Sequence, residues 1–185
     1  MTGGTITAVG GGVGCALLIV LAAVLAATYN RLARLRSAAE TSWTQIENQL
    51  DRRYALIPDL VDTVQRYAPH ERAALEAVVA ARGGAMAAAQ ASGLTRRAEA
   101  EGTLTQALGR LLAVAETYPD LRHHQHFVTL QVELSNAEDR AAYAQQAYNT
   151  AVQDYNAAFR ALPGFRRRDF FRAPGGERGP VHARF

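Results

Sequence analysis

The stretch RRYALIPDLV, residues 52 to 61, lies at the centre of the amphipathic pattern that decides the fold. Apolar residues recur every three or four positions through it and on both sides of it, as they do along one face of a helix. The residues of this face are Ile46, Leu50, Tyr54, Ile57, Val61 and Val64. The pattern predicts a helix that buries one side and exposes a charged one.

Pro58 stands inside this pattern, where a proline removes one backbone donor and crowds the carbonyl of Tyr54. The apolar spacing nevertheless keeps its phase across the proline. Ile57 would also be a poor N-cap for a new helix. One long kinked helix is therefore favoured, and two helices that meet at Ile57 are the alternative.

The first thirty residues contain no charged side chain, and residues 6 to 27 are almost wholly apolar. A helix of that length measures about 33 Å and would cross a hydrocarbon core of about 30 Å. We therefore expect a single transmembrane anchor over residues 1–28. A cleaved signal peptide is the alternative, but the basic segment that usually begins one is missing and the apolar run is long. Gly10 and Gly14 have the GxxxG spacing of helix dimers, which makes a homo-oligomer a second expectation beside a merely flexible turn.

The apolar face continues from Leu32 through Ala39 and Trp43 without a glycine or proline, so the anchor and the first helix of the bundle should form one rod. Basic residues near an anchor are retained in the cytoplasm, and three of them follow it at once. These residues are Arg31, Arg34 and Arg36. The N-terminus should face out and the bundle should be cytoplasmic, with the reverse arrangement or an exported bundle as the alternative.

Further helices follow. Pro69 should begin the second helix, which runs to about Gln90 and is followed by a turn at Ser92-Gly93. Gly83-Gly84 also has the composition of a turn. A third helix should end at Tyr118, because the residue before Pro119 is forced away from helical geometry.

The last helix has a seven-residue repeat with two rows of small or apolar residues. One row is Phe127, Leu134, Ala141, Tyr148, Tyr155 and Leu162, and the other is Leu130, Ala137, Ala144, Ala151 and Ala158. Successive alanines in one row predict a close-packed neighbour. The whole pattern predicts an all-α protein, an antiparallel up-and-down bundle of about four long helices over residues 29–162. Residues 163–185, rich in glycine, proline, arginine and phenylalanine, should form an irregular tail.

Five segments of the chain together resemble the LemA family of bacterial membrane-anchored proteins. They are YNRLARLR (29–36), SWTQIENQLDRRYALIPDLVDTVQRYAPHERAALEAV (42–78), LGRLLAVAETYPDLR (108–122), FVTLQVELSNAEDR (127–140) and AYNTAVQDYNAAF (147–159). The resemblance implies a helical bundle behind one N-terminal transmembrane helix. It implies no agreed biochemical activity.

Charge argues against nucleic acid as a partner. Every basic residue is an arginine, and within residues 31–162 the 14 arginines are outnumbered by 15 acidic residues. The excess of positive charge belongs to the tail, where six arginines face two acidic residues. A nucleic-acid-binding bundle would need a basic face of its own.

The patterns that mark enzymes are missing or incomplete. His70-Glu71 lacks the second histidine of a zinc protease, because position 74 is Ala74. His123 and His126 are too few for a transition-metal site. Neighbouring carboxylates such as Asp59 and Asp62 lack the apolar enclosure that is typical of a general acid or base, and no glycine-rich phosphate loop exists. We therefore expect no catalytic residue, no metal and no cofactor.

Two patches are candidate binding sites. Arg52, Arg53 and Pro58 form a candidate partner-binding patch, because the proline frees a backbone carbonyl; an ordinary charged helix face is the alternative. The tail offers candidate lipid-binding residues, which a solvated tail would explain equally. They are Arg166, Arg167, Arg168, Phe170, Phe171 and Arg172. Tyr148 and Tyr155 fit the core, with a groove for a partner helix as the alternative.

The leading expectation is a non-enzymatic, membrane-anchored scaffold or adaptor on the bacterial inner membrane, with other membrane or cytoplasmic proteins as partners. The alternative is a bundle that acts on the lipid bilayer itself through self-association and its basic-aromatic tail.

Overall fold

The computed structural model describes residues 3–91 and 93–160, with side chains from residue 16 onward. These residues form five α-helices and contain no β-strand, so the prediction of an all-α protein is confirmed. The helices are α1 (Gly3–Tyr67), α2 (Arg72–Gln90), α3 (Leu94–Ala115), α4 (Pro119–Arg122) and α5 (Gln125–Arg160).

Helix α1 passes through Pro58 without interruption. The prediction of one long helix is confirmed, and the alternative of two helices that meet at Ile57 is wrong. The carbonyl of Tyr54, which would otherwise accept from the missing N–H of residue 58, accepts a hydrogen bond from Nε of Arg82 on α2 at 2.8 Å. A side chain from a neighbouring helix thus replaces the backbone bond that the proline removes.

Two predictions about α2 are corrected. Helix α2 begins at Arg72 with Glu71 as its N-cap, and not at Pro69. Gly83 and Gly84 lie inside α2 and form no turn. Gly93 lies between α2 and α3 with a φ of 136°, which favours glycine, while Ser92, the other residue of the predicted turn, lies outside the described residues.

The third helix ends at Ala115, earlier than the predicted Tyr118. Pro119 then begins α4 instead of only ending the helix before it, as proline often does at the first helical position.

Helices α1 and α5 run antiparallel and pack closely over most of their shared length. Residues later in α1 contact residues earlier in α5. The ring centroids of Trp43 and Tyr148 are 5.3 Å apart, and those of Tyr67 and His124 are 5.2 Å apart. Helices α2 and α3 form a second close pair, and α2 contacts α1 less extensively.

The heptad rows of α5 face the core, as the repeat predicts. Both rows are buried from Phe127 to Ala158, except Tyr155, which is half-buried. Small side chains in these rows allow the backbones of α1 and α5 to approach closely. Leu162 and the tail from 163 to 185, with its candidate lipid-binding residues, lie outside the described residues.

The first part of α1 is covered by no other described helix along its apolar run. Its side chains from Leu17 to Leu25 are largely exposed. By length and composition this helix is able to cross a membrane, and it is the one such helix in the described part of the chain. The anchor and its orientation remain predictions.

Candidate functional site

The core contains a cluster of four buried polar side chains, Arg53 and Tyr54 on α1 and Arg97 and Glu101 on α3, which we call the buried cluster. Glu101 is completely buried and accepts a hydrogen bond from the Tyr54 hydroxyl. Nη1 of Arg53 lies 3.5 Å from the other carboxyl oxygen. Nη2 of Arg53 donates to the hydroxyl of Thr105 at 2.8 Å. These contacts join α1 to α3, whose backbones do not pack closely.

Arg97 extends the cluster toward α5. Its guanidinium lies 5.3 Å from the centre of the Trp43 ring, within the range of a cation–π interaction. Its Nη1 also lies 3.3 Å from a carboxyl oxygen of Glu47 on α1. Since Trp43 packs against Tyr148, a continuous series of contacts runs from α3 through α1 to α5.

Burial governs the electrostatics of this cluster. It raises the pKa of Glu101, while the Tyr54 hydrogen bond and the charges of Arg53 and Arg97 oppose the rise. Burial also raises the pKa of Tyr54, and the hydrogen bond to Glu101 adds to the effect. A raised carboxyl pKa is common at active sites. Here, however, the carboxyl is shielded from solvent and bound by neighbouring side chains, so the arrangement suits helix pairing better than catalysis.

An open polar pocket of about 350 Å³ lies beside the buried cluster. Tyr54 and Arg97 of the buried cluster line it, together with two carboxylates of α1. Its full lining is Glu47, Asn48, Asp51, Tyr54, Met86, Ala89, Gln90 and Arg97. Within the described residues, no three His, Cys, Asp or Glu side chains are grouped to hold a metal ion.

A larger cavity of about 660 Å³, which we call the α1–α5 groove, lies between the middle of α1 and the end of α5. Its walls are mainly apolar and aromatic. The lining residues are Leu25, Thr28, Tyr29, Leu32, Ala33, Arg36, Ser37, Glu40, Tyr155 and Phe159. The rings of Tyr155 and Phe159 are nearly parallel, with centroids 6.2 Å apart. Arg36 and Glu40 form an exposed ion pair at 2.9 Å on the groove surface.

The candidate partner-binding patch is divided by the fold. Arg52 is exposed and lies 3.5 Å from Glu133 of α5, and Pro58 is exposed. Arg53 is buried and bound within the cluster, while the carbonyl freed by Pro58 is occupied by Arg82. Only Arg52 and Pro58 therefore present an exposed surface, and their role in partner binding stays a prediction.

Sequence reasoning missed the buried cluster, although a signal for it exists. Glu101 lies four residues after Arg97 and three before Leu104, in register with the buried face of α3. A charged residue in an apolar register indicates a buried ion pair, because an unpaired buried charge is costly.

The sequence of this chain is similar to those of magnetosome proteins from two organisms. Two magnetosome proteins of Paramagnetospirillum magneticum, MamQ 1 and MamQ 2, are each 33% identical to the chain over 87 residues, covering 42% of this chain and 32% of theirs. Magnetosome protein MamQ of Magnetospirillum gryphiswaldense is 31% identical over 80 residues, covering 39% and 29%. The chain thus spans about a third of the length of these curated relatives. The LemA family model matches residues 42–185, and the chain belongs to the LemA family.

Proposed function

We propose that this protein is a non-enzymatic scaffold of the LemA type, anchored in the bacterial inner membrane by residues 1–28. In this proposal residues 29–162 form an antiparallel up-and-down bundle that binds other membrane or cytoplasmic proteins. The MamQ relatives are named as magnetosome proteins, and that assignment belongs to them.

The continuity of α1 carries the proposal. The same helix contains the exposed apolar run around Leu17–Leu25 and the buried residues Ile46 to Val64 of the core. Since no loop separates the two parts, the bundle is held rigidly on the anchor. A rigid extension from a membrane suits a protein that positions partners at a fixed distance.

The chemistry of the core supports a role without catalysis. Among the described residues, Glu101 is the carboxyl with a raised pKa, and it is completely buried and bound to Tyr54 and Arg53. A general acid or base has to reach its substrate within hydrogen-bonding distance. In this proposal the exposed charged side chains of the bundle bind partner proteins.

Affinity capture of the tagged full-length protein from its own membranes tests this function. We expect the same few proteins to be recovered in two different detergents and to be reduced by Arg52→Glu, which reverses the charge of the exposed arginine. Glu99→Arg, also an exposed charge reversal, is the matched control. Recovery of no protein above an untagged control in either detergent would contradict the scaffold role.

A second candidate function, action on the bilayer through the tail, is favoured by where α5 ends. Tyr155 and Phe159 line the groove together with Leu25 and Tyr29, so α5 ends beside the end of the apolar run, and the tail follows α5 in the sequence. Arginines near an anionic leaflet contribute about 1 kcal/mol each.

Vesicle binding tests this second candidate. Residues 30–185 are compared with residues 30–162, after circular dichroism shows that both are helical. We expect the longer fragment alone to bind anionic vesicles at low salt. Equal binding by the two fragments would show that the tail has no membrane role.

A further inference from the structure

We propose that residues 161–172, the two residues that follow α5 and the first part of the tail, bind in the α1–α5 groove of their own chain. The proposal concerns contacts within one chain and does not depend on the scaffold function.

The groove runs along a part of α1 that is only partly covered by other described residues. From Trp43 onward α1 is covered by other helices, through Tyr148 of α5 and Arg97 of α3. Along residues 25–40, the other described residues that line the groove come from the last turns of α5. Leu25 is 54% exposed and Tyr29 is 74% exposed. An apolar concave surface of this kind is suited to an apolar occupant.

The chain itself leads to this surface. Phe159 lines the groove and α5 ends at Arg160, so the proposed segment begins two positions after a residue of the groove wall. The groove extends along α1 for about 22 Å, at 1.5 Å per residue. Twelve extended residues reach about 40 Å, so residues 161–172 are long enough to lie along it in either direction. The family match also continues to residue 185 and includes this segment.

The chemistry of the tail is complementary to that of the groove. Phe165, Phe170 and Phe171 supply aromatic rings for walls that already contain the stacked rings of Tyr155 and Phe159. Among the described lining residues Glu40 is the acidic one, and the segment brings four arginines. These are Arg166, Arg167, Arg168 and Arg172. Glu40 is exposed and in direct contact with Arg36 through one carboxyl oxygen, so a second arginine is able to approach it from solvent.

Disulfide trapping in the full-length protein tests the assignment. A cysteine pair, Ser37→Cys with Phe170→Cys, is introduced in a Cys15→Ser background and reconstituted in neutral and in anionic phospholipid vesicles. Ser37 lines the groove, whereas Arg34 is exposed at a similar height and is not part of the lining. Arg34→Cys with Phe170→Cys is therefore the matched control.

We expect the Ser37 pair to form an intrachain disulfide at least about fivefold faster than the Arg34 pair in both vesicle types, because docking raises the local concentration of the two thiols. Ala33→Trp, a substitution at an exposed lining position, should fill the groove and remove that difference. Equal rates for the two pairs would overturn the proposal. Interchain disulfides between singly substituted chains would assign the groove to the tail of a second copy instead. Loss of the disulfide in anionic vesicles alone would show that lipid holds the tail.

Discussion

At the scale of single residues, Glu101 is a carboxylate in the core, where a charge has to be compensated by neighbouring groups. Its side chain is fully buried, and its charge is compensated by Arg53 at 3.5 Å and by the Tyr54 hydroxyl. A buried ion pair adds little net stability over apolar residues, but removal of one partner leaves an uncompensated charge. The cluster therefore matters most for which faces of α1 and α3 meet.

Glu101→Ala should lower the free energy of unfolding by about 3 to 5 kcal/mol, because it leaves Arg53 buried without its counter-ion. Glu99→Ala, at an exposed position on the same helix, should change it by less than about 0.5 kcal/mol. Denaturant unfolding of the full-length protein in detergent measures both. The double change Arg53→Met with Glu101→Leu should recover most of the loss, and no recovery would contradict the ion-pair explanation.

The burial of Tyr148 predicts that the folded protein loses stability at alkaline pH. Burial raises its pKa from 10.0 to about 12, so between these values the folded protein keeps a proton that the unfolded chain releases. Its contribution is fully present below pH 10 and is lost as the pH rises toward 12. A pKa rise of one corresponds to about 1.36 kcal/mol. Since the folded protein is only half ionised at Tyr148 when the pH reaches 12, Tyr148→Phe should remove about 2 kcal/mol of this loss up to that pH.

Unfolding measured from pH 9 to pH 12 follows this effect. Tyr143→Phe is the control, because its side chain is 75% exposed on the same helix. An unchanged pH dependence in Tyr148→Phe would contradict the assignment.

At the scale of helices, α1 stays continuous through Pro58 because its partner helix supplies a hydrogen bond. Nε of Arg82 reaches the Tyr54 carbonyl at 2.8 Å, which satisfies the acceptor that Pro58 leaves open. The proline thereby ties α1 to α2 at one defined height.

A double-mutant cycle tests this bond. Arg82→Ala should cost about 1.5 to 3 kcal/mol of unfolding free energy, as expected for a hydrogen bond from a charged donor. In a Pro58→Ala background the new N–H of residue 58 is able to bond Tyr54, so the same change should cost about 1 kcal/mol less. Arg96→Ala, exposed on α3, is the control. Equal costs in the two backgrounds would show that the bond does not compensate for the proline.

The alanine row of α5 predicts that a larger side chain lowers stability more at a buried site than at an exposed one. Ala144→Leu should cost about 1 to 3 kcal/mol, because Ala144 is buried and the added volume forces the helices apart. Gln146→Leu, at an exposed position two residues later, should stay within about 0.5 kcal/mol. Thermal unfolding compares the variants, and equal melting temperatures would contradict the close packing.

At the scale of the whole molecule, one helix joins an exposed apolar run to a packed core, and the end of α5 returns to the boundary between them. The last turns of α5 therefore lie near Leu25 and Tyr29. Any molecule bound at that level contacts the end of the apolar run of α1 and the end of α5 together.

Orientation is predicted from Arg31, Arg34 and Arg36, which should hold the bundle in the cytoplasm. A cysteine at the exposed Gln90, in a Cys15→Ser background, reports the side through a membrane-impermeant thiol reagent. We expect labelling only after cell lysis. Labelling of intact cells would place the bundle outside.

Local patterns in the chain by themselves determined the helical class, the continuity through Pro58 and the buried rows of α5. Each depends on side-chain spacing along one segment, which backbone periodicity turns directly into a helix face. The predicted helix ends at Pro69 and Tyr118 were less accurate, because a proline is compatible with both the end and the start of a helix.

Only the tertiary structure decided which polar side chains meet. Arg52 and Arg53 are neighbours in sequence, yet one is exposed beside Glu133 and the other is buried with Glu101. A difference of one residue rotates a helical side chain by about 100°, and which direction faces the core depends on how the other helices pack. The bond from Arg82 to Tyr54 and the groove beside Phe159 likewise join segments far apart in the chain, so the physical reason is the same.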